Sequence, residues 1–211
     1  MIGTVDAKAL YAINSQSDVE YRVLAPRTKR YMAIPRLTPE QIAQVSRLVA
    51  QYITTQREKY TPRAFPLSAQ QKAKMAGFFL PQLLEDARLL VLSVERVVNP
   101  DFYPMLRDLG FNNLPDQSAM GAITFSDTVV SHGPFTDGLL FHELVHVEQY
   151  RQLGIPHFSE LYVRGFLAGG GYDGIPLERN AYMMGANYEK DPARHFSVAE
   201  EVAGWIAKGR F

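Results

Sequence analysis

The segment Phe141-His142-Glu143-Leu144-Val145-His146-Val147-Glu148-Gln149-Tyr150 decides how the rest of this chain is read. It contains H-E-x-x-H, and its apolar neighbours predict a helix. Residues four apart on a helix lie one above the other on the same face, so His142 and His146 can direct two imidazoles at one point. That is the spacing with which two histidines share a zinc ion, and Glu143 between them can reach a metal-bound water. Leu139, Leu140, Phe141, Leu144, Val145, Val147, Tyr150 and Leu153 make the helix apolar on nearly every side, which predicts burial. A buried imidazole or carboxylate without a partner costs several kcal/mol. A metal ion with its water compensates all three groups, and a hydrogen-bonded His–Glu core cluster is the competing reading.

Outward from the motif, Thr136 or Asp137 can cap this helix, which should run through Leu153 and stop at Gly154, with Pro156 beyond. A further helix is expected from Phe158 to Leu167, then a glycine-rich connector over Gly169–Gly174. That run lacks the Lys-Ser/Thr ending of a phosphate loop. Pro176 starts a helix carrying Glu178, Ala181, Tyr182 and Gly185, and a last helix spans roughly Val198 to Lys208 with Trp205 as core packing.

On the N-terminal side, Ala122–Phe125 and Thr128–Val130 are β-prone runs split by Ser126-Asp127, forming one bent strand or a tight hairpin. Ala87 to Val98 reads as a buried strand, and Pro100 to Leu109 as a short helix closed by Gly110. Ser68 with Gln71 opens a helix ending near Phe78 and Phe79. Thr38-Pro39-Glu40-Gln41 opens a longer one over about 39–59, with Ile42, Val45, Leu48, Val49 and Ile53 at helical spacing. In residues 1–37, Val19, Tyr21 and Val23 suggest a short strand in an N-terminal arm. The expected fold is α+β and predominantly helical: a single domain over 1–211, a metal-site core over 120–185, a C-terminal helix over 197–210, and a small mixed or antiparallel sheet against the motif helix.

Lysine plus arginine and aspartate plus glutamate are balanced at 22 each, giving no electrostatic reason to expect nucleic acid or an anionic membrane as partner. Arg27, Lys29, Arg30 and Arg36 read as a solvated surface. The absence of cysteine excludes disulfides, thiolate ligands and a cysteine nucleophile. No apolar run approaches the ~18 residues of a membrane span. Met1-Ile2-Gly3-Thr4-Val5-Asp6 lacks a signal-peptide pattern, so a cytoplasmic protein is the default expectation, with signal-independent export open.

A catalytic zinc takes three protein ligands and keeps one position for water. No histidine follows the motif closely. The remaining candidates for the third ligand are Glu160, Asp173 and Glu178, with His132 behind them; His157 and His195 read as surface residues. Glu178 ranks first because Ala181 and Gly185 form a small-residue stripe that would let its helix approach the motif helix. His132, Tyr172 and Tyr182 are the candidates for stabilising an oxyanion.

His142-Glu143-Leu144-Val145-His146-Val147-Glu148-Gln149 followed by Pro176-Leu177-Glu178-Arg179-Asn180-Ala181-Tyr182 resembles the gluzincin arrangement, and in particular small bacterial domains with H-E-L-x-H-x-x-Q and a later L-E-x-x-A. The resemblance covers about residues 120–185. It implies a zincin-like fold, one zinc per chain held by His142, His146 and Glu178, Glu143 as general base, and a strand near Ile123–Phe125 that pairs with an extended substrate. Related proteins often carry an acidic residue where Asn180 stands, and an aspartate where Tyr182 stands, which leaves the partner of the ligand histidines open. The expected activity is zinc-dependent hydrolysis of a peptide or protein. The alternatives are a non-catalytic scaffold on the same fold, or an effector peptidase acting on a partner's protein. Nothing in the sequence bears on oligomeric state.

Overall fold

In a computed structural model of the chain, residues 35–211 are described, and they fold as one unit. The expected strand of Val19–Val23, most of the N-terminal arm and the basic residues 27–30 lie outside the described residues. Helix α1 spans Pro39–Tyr60, and the sequence explains its start: Thr38 accepts from the Gln41 amide while the Gln41 side chain accepts from the Thr38 amide. The same capping box, between Ser68 and Gln71, opens α2 (Ala69–Met75). That helix ends earlier than the sequence suggests, and Phe78 and Phe79 sit in the following turn, fully packed. A short α3 (Pro81–Asp86), not foreseen from sequence, and α4 (Tyr103–Asp108) follow.

The sheet contains β1 (Phe65–Pro66), β2 (Arg88–Val91), β3 (Ala122–Phe125) and β4 (Thr128–Ser131), in the order β1-β2-β4-β3. The fold is therefore α+β, mainly helical, with a small mixed sheet: β2 and β4 are parallel, the other pairs antiparallel. The strand expected over 87–98 is confined to four residues, and the chain beyond Leu92 is irregular. Of the two readings of 122–130, the tight hairpin is correct, and Arg57 clamps its turn with two charge-assisted bonds to Asp127, at 2.6 and 2.7 Å.

Alternate side chains of the strands enter two different cores, as a pleated sheet demands. Leu89 and Val129 pack with Leu140, Phe141 and Leu144, whereas Leu90 and Val130 pack with Ile53, Tyr60 and Phe125. Helix α5 (Asp137–Gly169) touches both. Thr136, not Asp137, caps it through the Leu139 amide. Its helical path breaks at Gly154 (φ 70°, ψ 159°), a left-handed backbone that glycine adopts at little cost, and a second helical segment carries on to Gly169. The sequence-based stop at Gly154 thus marks a kink between two abutting helices.

After Gly170–Ile175 the chain turns into α6 (Pro176–Lys190), which runs back along the motif half of α5. Phe141 stacks on Tyr188 at 4.5 Å near one end, and Gln149 bonds to the Leu177 carbonyl at the other. Helix α7 (Val198–Ala207) buries Val198 and Val202. Trp205 is not a core residue as expected: it is half-buried, with its ring against Phe211 and the Arg210 guanidinium above it. No helix among the described residues is long and apolar enough to cross a membrane.

At the hairpin turn, Ser126 has φ 64° while its neighbour Asp127 does not share the positive φ. Positive φ at the first of two central residues is the type II′ pattern, for which glycine is the favoured residue. Replacing Ser126→Gly is expected to raise the thermal unfolding midpoint, by the equivalent of about 0.5–1 kcal/mol, and Ser126→Val to lower it by about 1–2 kcal/mol. Thermal melts of the two variants followed by circular dichroism check this.

Candidate metal centre

The motif helix brings His142 and His146 together as their spacing requires, and α6 delivers Glu178 to the same point. His146 Nε2 lies 3.1 Å from His142 Nε2 and 3.3 Å from Glu178 Oε2, and His142 Nε2 lies 3.5 Å from that oxygen. Four donors placed 2.0–2.1 Å from a zinc ion stand roughly 3.3–3.4 Å apart in a tetrahedron. The three atoms therefore form a triangle of the size such an ion needs. Glu178 and His146 are buried and His142 nearly so, and Glu178 Oε2 has no hydrogen-bond partner among the described residues. Three lone-pair atoms converging in an apolar setting need a positive charge between them, either a proton or a metal ion. The donor set fits a metal.

The protonation pattern follows from the same geometry. Burial by itself would lower the His146 pKa, but the negative charge of the adjacent Glu178 outweighs this and raises it to about 9. Burial would raise Glu178, and the adjacent His146 and His142 imidazoles hold it well below the usual carboxylate range. In the metal-free protein a proton therefore takes the bridging position.

What orients His146 was not legible beforehand. Its Nδ1 lies 2.9 Å from Gln149 Oε1, and Gln149 Nε2 donates to the Leu177 carbonyl (3.0 Å) and to Asn180 Oδ1 (2.9 Å). Both amide protons of this fully buried glutamine are thus used on α6. Its oxygen must face the imidazole, so His146 carries hydrogen on Nδ1 and turns Nε2 toward the cluster. The open question of the histidine's partner is settled by Gln149, with Asn180 holding Gln149 in place.

Glu143 is also buried, and its Oε2 accepts a 2.6 Å hydrogen bond from the Thr124 hydroxyl on β3. Thr124 had no signal in the sequence beyond its place in a β-prone run. Tyr182 is half-exposed, with its ring 4.5 Å from that of His142. Tyr172 stands beside Glu178 and lines the adjoining cavity. Burial first, and then the Glu178 charge, push both phenols upward, so both remain neutral donors.

The other candidates fall away. His132 accepts from the Val97 amide at Nε2 (3.0 Å) and meets the Met120 carbonyl at Nδ1 (2.6 Å), so both ring nitrogens are committed to backbone and none is left for an oxyanion or a metal. Glu160 pairs with Arg164 on the surface, Asp173 is exposed, and His157 and His195 are exposed as expected. The small-residue argument for Glu178 also needs correction. A Cβ added at Gly185 would meet nothing within 4 Å, so that residue permits no close approach. The tight places are Gly165, whose added Cβ would sit 2.5 Å from Pro176, and Gly169 against Gly174. These glycines let the end of α5 and the start of α6 touch, which is how Glu178 reaches the histidines.

No family model matches the chain, and no curated protein or solved structure matches it either.

Two outcomes are expected from metal titrations of the purified protein. Because a metal must displace the proton held by His146, zinc uptake between pH 7 and 8 should release about one proton per chain. The affinity should rise about tenfold per pH unit toward pH 9 and flatten above it; proton release measured by calorimetry in two buffers checks this. Gln149→Leu removes the acceptor that fixes the His146 tautomer and should weaken zinc binding about 10–100-fold while leaving a folded chain, as read by competition with a chromophoric chelator.

Proposed function

We propose that this chain is a zinc-dependent hydrolase, most plainly a peptidase, built on a zincin-like arrangement. The observation that carries the reading is the triangle of His142, His146 and Glu178 donors, with sides of 3.1, 3.3 and 3.5 Å, and buried Glu143 beside it. A zinc ion held by those three residues would activate a water molecule and polarise a carbonyl.

The chain's own residues supply the rest. Thr124 occupies Glu143 Oε2, so Oε1, which has no hydrogen-bond partner among the described residues, is the atom that takes a proton from the attacking water and returns it to the leaving amine. Gln149 keeps His146 in the tautomer a ligand needs. Tyr172 and Tyr182, neutral donors on the Glu178 side, would be the groups to hydrogen-bond an oxyanion.

The sheet supports a peptide substrate. β3 is the outer strand among the described residues, and the His132 amide donates to the Gly121 carbonyl. Alternation along an antiparallel pair then turns the backbone groups of Ile123 and Phe125 toward β4 and those of Ala122 and Thr124 outward. A peptide can pair with that edge as an added strand, next to the residue that holds Glu143.

Purified protein should carry about one zinc per chain, lost in His146→Ala. Glu143→Gln should retain the zinc and lose hydrolysis of a peptide library by at least ~100-fold. Thr124→Val should retain the zinc and lose turnover with little change in KM. A metal-free wild-type protein that refuses zinc, or a Glu143→Gln variant that cleaves as fast as wild type, would overturn the assignment.

A further inference from the structure

A cavity of about 110 Å³ opens directly off the proposed reaction centre, with Glu143, His146 and Glu178 in its wall. Away from those three residues, and with Thr124 and Gln117 as the exceptions, its lining is apolar or aromatic: Val49 and Ile53 from α1, Ile123 and Phe125 from β3, Tyr103 from α4 and Phe158 from the second half of α5. Among the described residues no lysine, arginine or aspartate lines it. Three of its polar side chains are engaged, the Thr124 hydroxyl with Glu143 among them. The Tyr52 hydroxyl donates to the Val98 carbonyl, and the Gln117 amide donates to the Tyr103 hydroxyl.

We propose that this cavity receives a branched or flexible aliphatic side chain (Leu, Ile or Met) of the substrate residue flanking the bond that is cut, and that it rejects charged side chains and tryptophan. The proposal rests on the peptidase reading above and adds the substrate class to it. Size gives the upper limit. An apolar protein cavity of about 150 Å³ takes a benzene ring, so one of 110 Å³ holds a four-carbon side chain and is tight for anything larger. Chemistry gives the rest. A carboxylate would enter past Glu143 and Glu178, and an ammonium held against the apolar walls supplied by α1 and β3 would be buried without a counter-charge there. An apolar side chain has nothing to satisfy and gains its full burial. Selectivity therefore lies with α1 and β3, far along the sequence from the metal motif. Val49, partly buried and carried by α1 rather than by either helix of the triangle, is the position at which to change it.

The test uses the full zinc-loaded chain and a peptide library randomised on both sides of the central bond. At one of the two flanking positions, Leu, Ile and Met should exceed Asp, Glu, Lys, Arg and Trp by at least ~10-fold in kcat/KM. Val49→Phe should move the preference to Ala and Val by about the same factor, and Ile53→Phe is the second variant should the first fold poorly. Independently of zinc and of turnover, xenon should enter the wild-type cavity, read by shifts of methyl resonances, and be excluded from Val49→Phe. Cleavage without side-chain bias, a preference for charged residues, a preference unmoved in both variants, or a wild-type cavity that refuses xenon would overturn the proposal and leave the peptidase reading intact. Failure to cut any peptide while zinc is bound would instead overturn the peptidase reading, and this proposal with it.

Discussion

Three buried lone pairs face one another across little more than 3 Å, on His142, His146 and Glu178. Such an arrangement is repulsive unless a positive charge lies among them, and much of the described fold can be understood as what holds these atoms there. The motif half of α5 supplies two of them through its own periodicity. The third has to return from more than thirty residues further along. The kink at Gly154, the second half of α5 and the contacts of Gly165 with Pro176 and of Gly169 with Gly174 bring the chain back in register. A side chain at either of the last two close approaches would push the start of α6, and Glu178 with it, away from the histidines.

Around the triangle, each polar group is tied to a different element. Gln149 spends its two N–H groups on α6 and its oxygen on His146, so the two helices that carry the triangle are coupled through one buried amide. Thr124 ties Glu143 to the outer strand. The Arg57–Asp127 pair, two-thirds buried on each side, fixes the hairpin that carries Thr124 against α1. Lost partners in a low-dielectric setting leave buried charge or dipole uncompensated, which makes the network sensitive to single substitutions at positions that touch no ligand atom.

The cavity beside the centre is built from another part of the chain. Its walls come from α1, α4, β3 and the second half of α5, and aromatic rings dominate it. Phe125 packs between Tyr52 and Tyr60 of α1, at 5.9 and 6.0 Å, so the strand that would meet a substrate and the helix that shapes the pocket move together. In the proposed reading recognition and chemistry would share β3, where Thr124 bonds to Glu143 and Phe125 lines the pocket.

Local physics is written in the residues themselves. The capping boxes at Thr38 and Ser68, a break at Gly154 and the His142–His146 pairing all depend on groups within a few residues of one another, so the sequence by itself determined them, while the choice of Thr136 over Asp137 as cap and the continuation past Gly154 came from the structure. Glu178 was also legible, although for a reason that the structure replaces: Gly165, Gly169 and Gly174, not Gly185, permit its approach. Only the tertiary structure decided that the 87–98 run contributes four residues to the sheet, that Trp205 lies half outside the core, and that His132 is spent on backbone. It also decided that Gln149 holds His146 and Thr124 holds Glu143. A glutamine's or threonine's partner is set by which distant carbonyl or carboxylate packing brings within 3 Å, and that distance depends on the whole fold rather than on any neighbour in the chain.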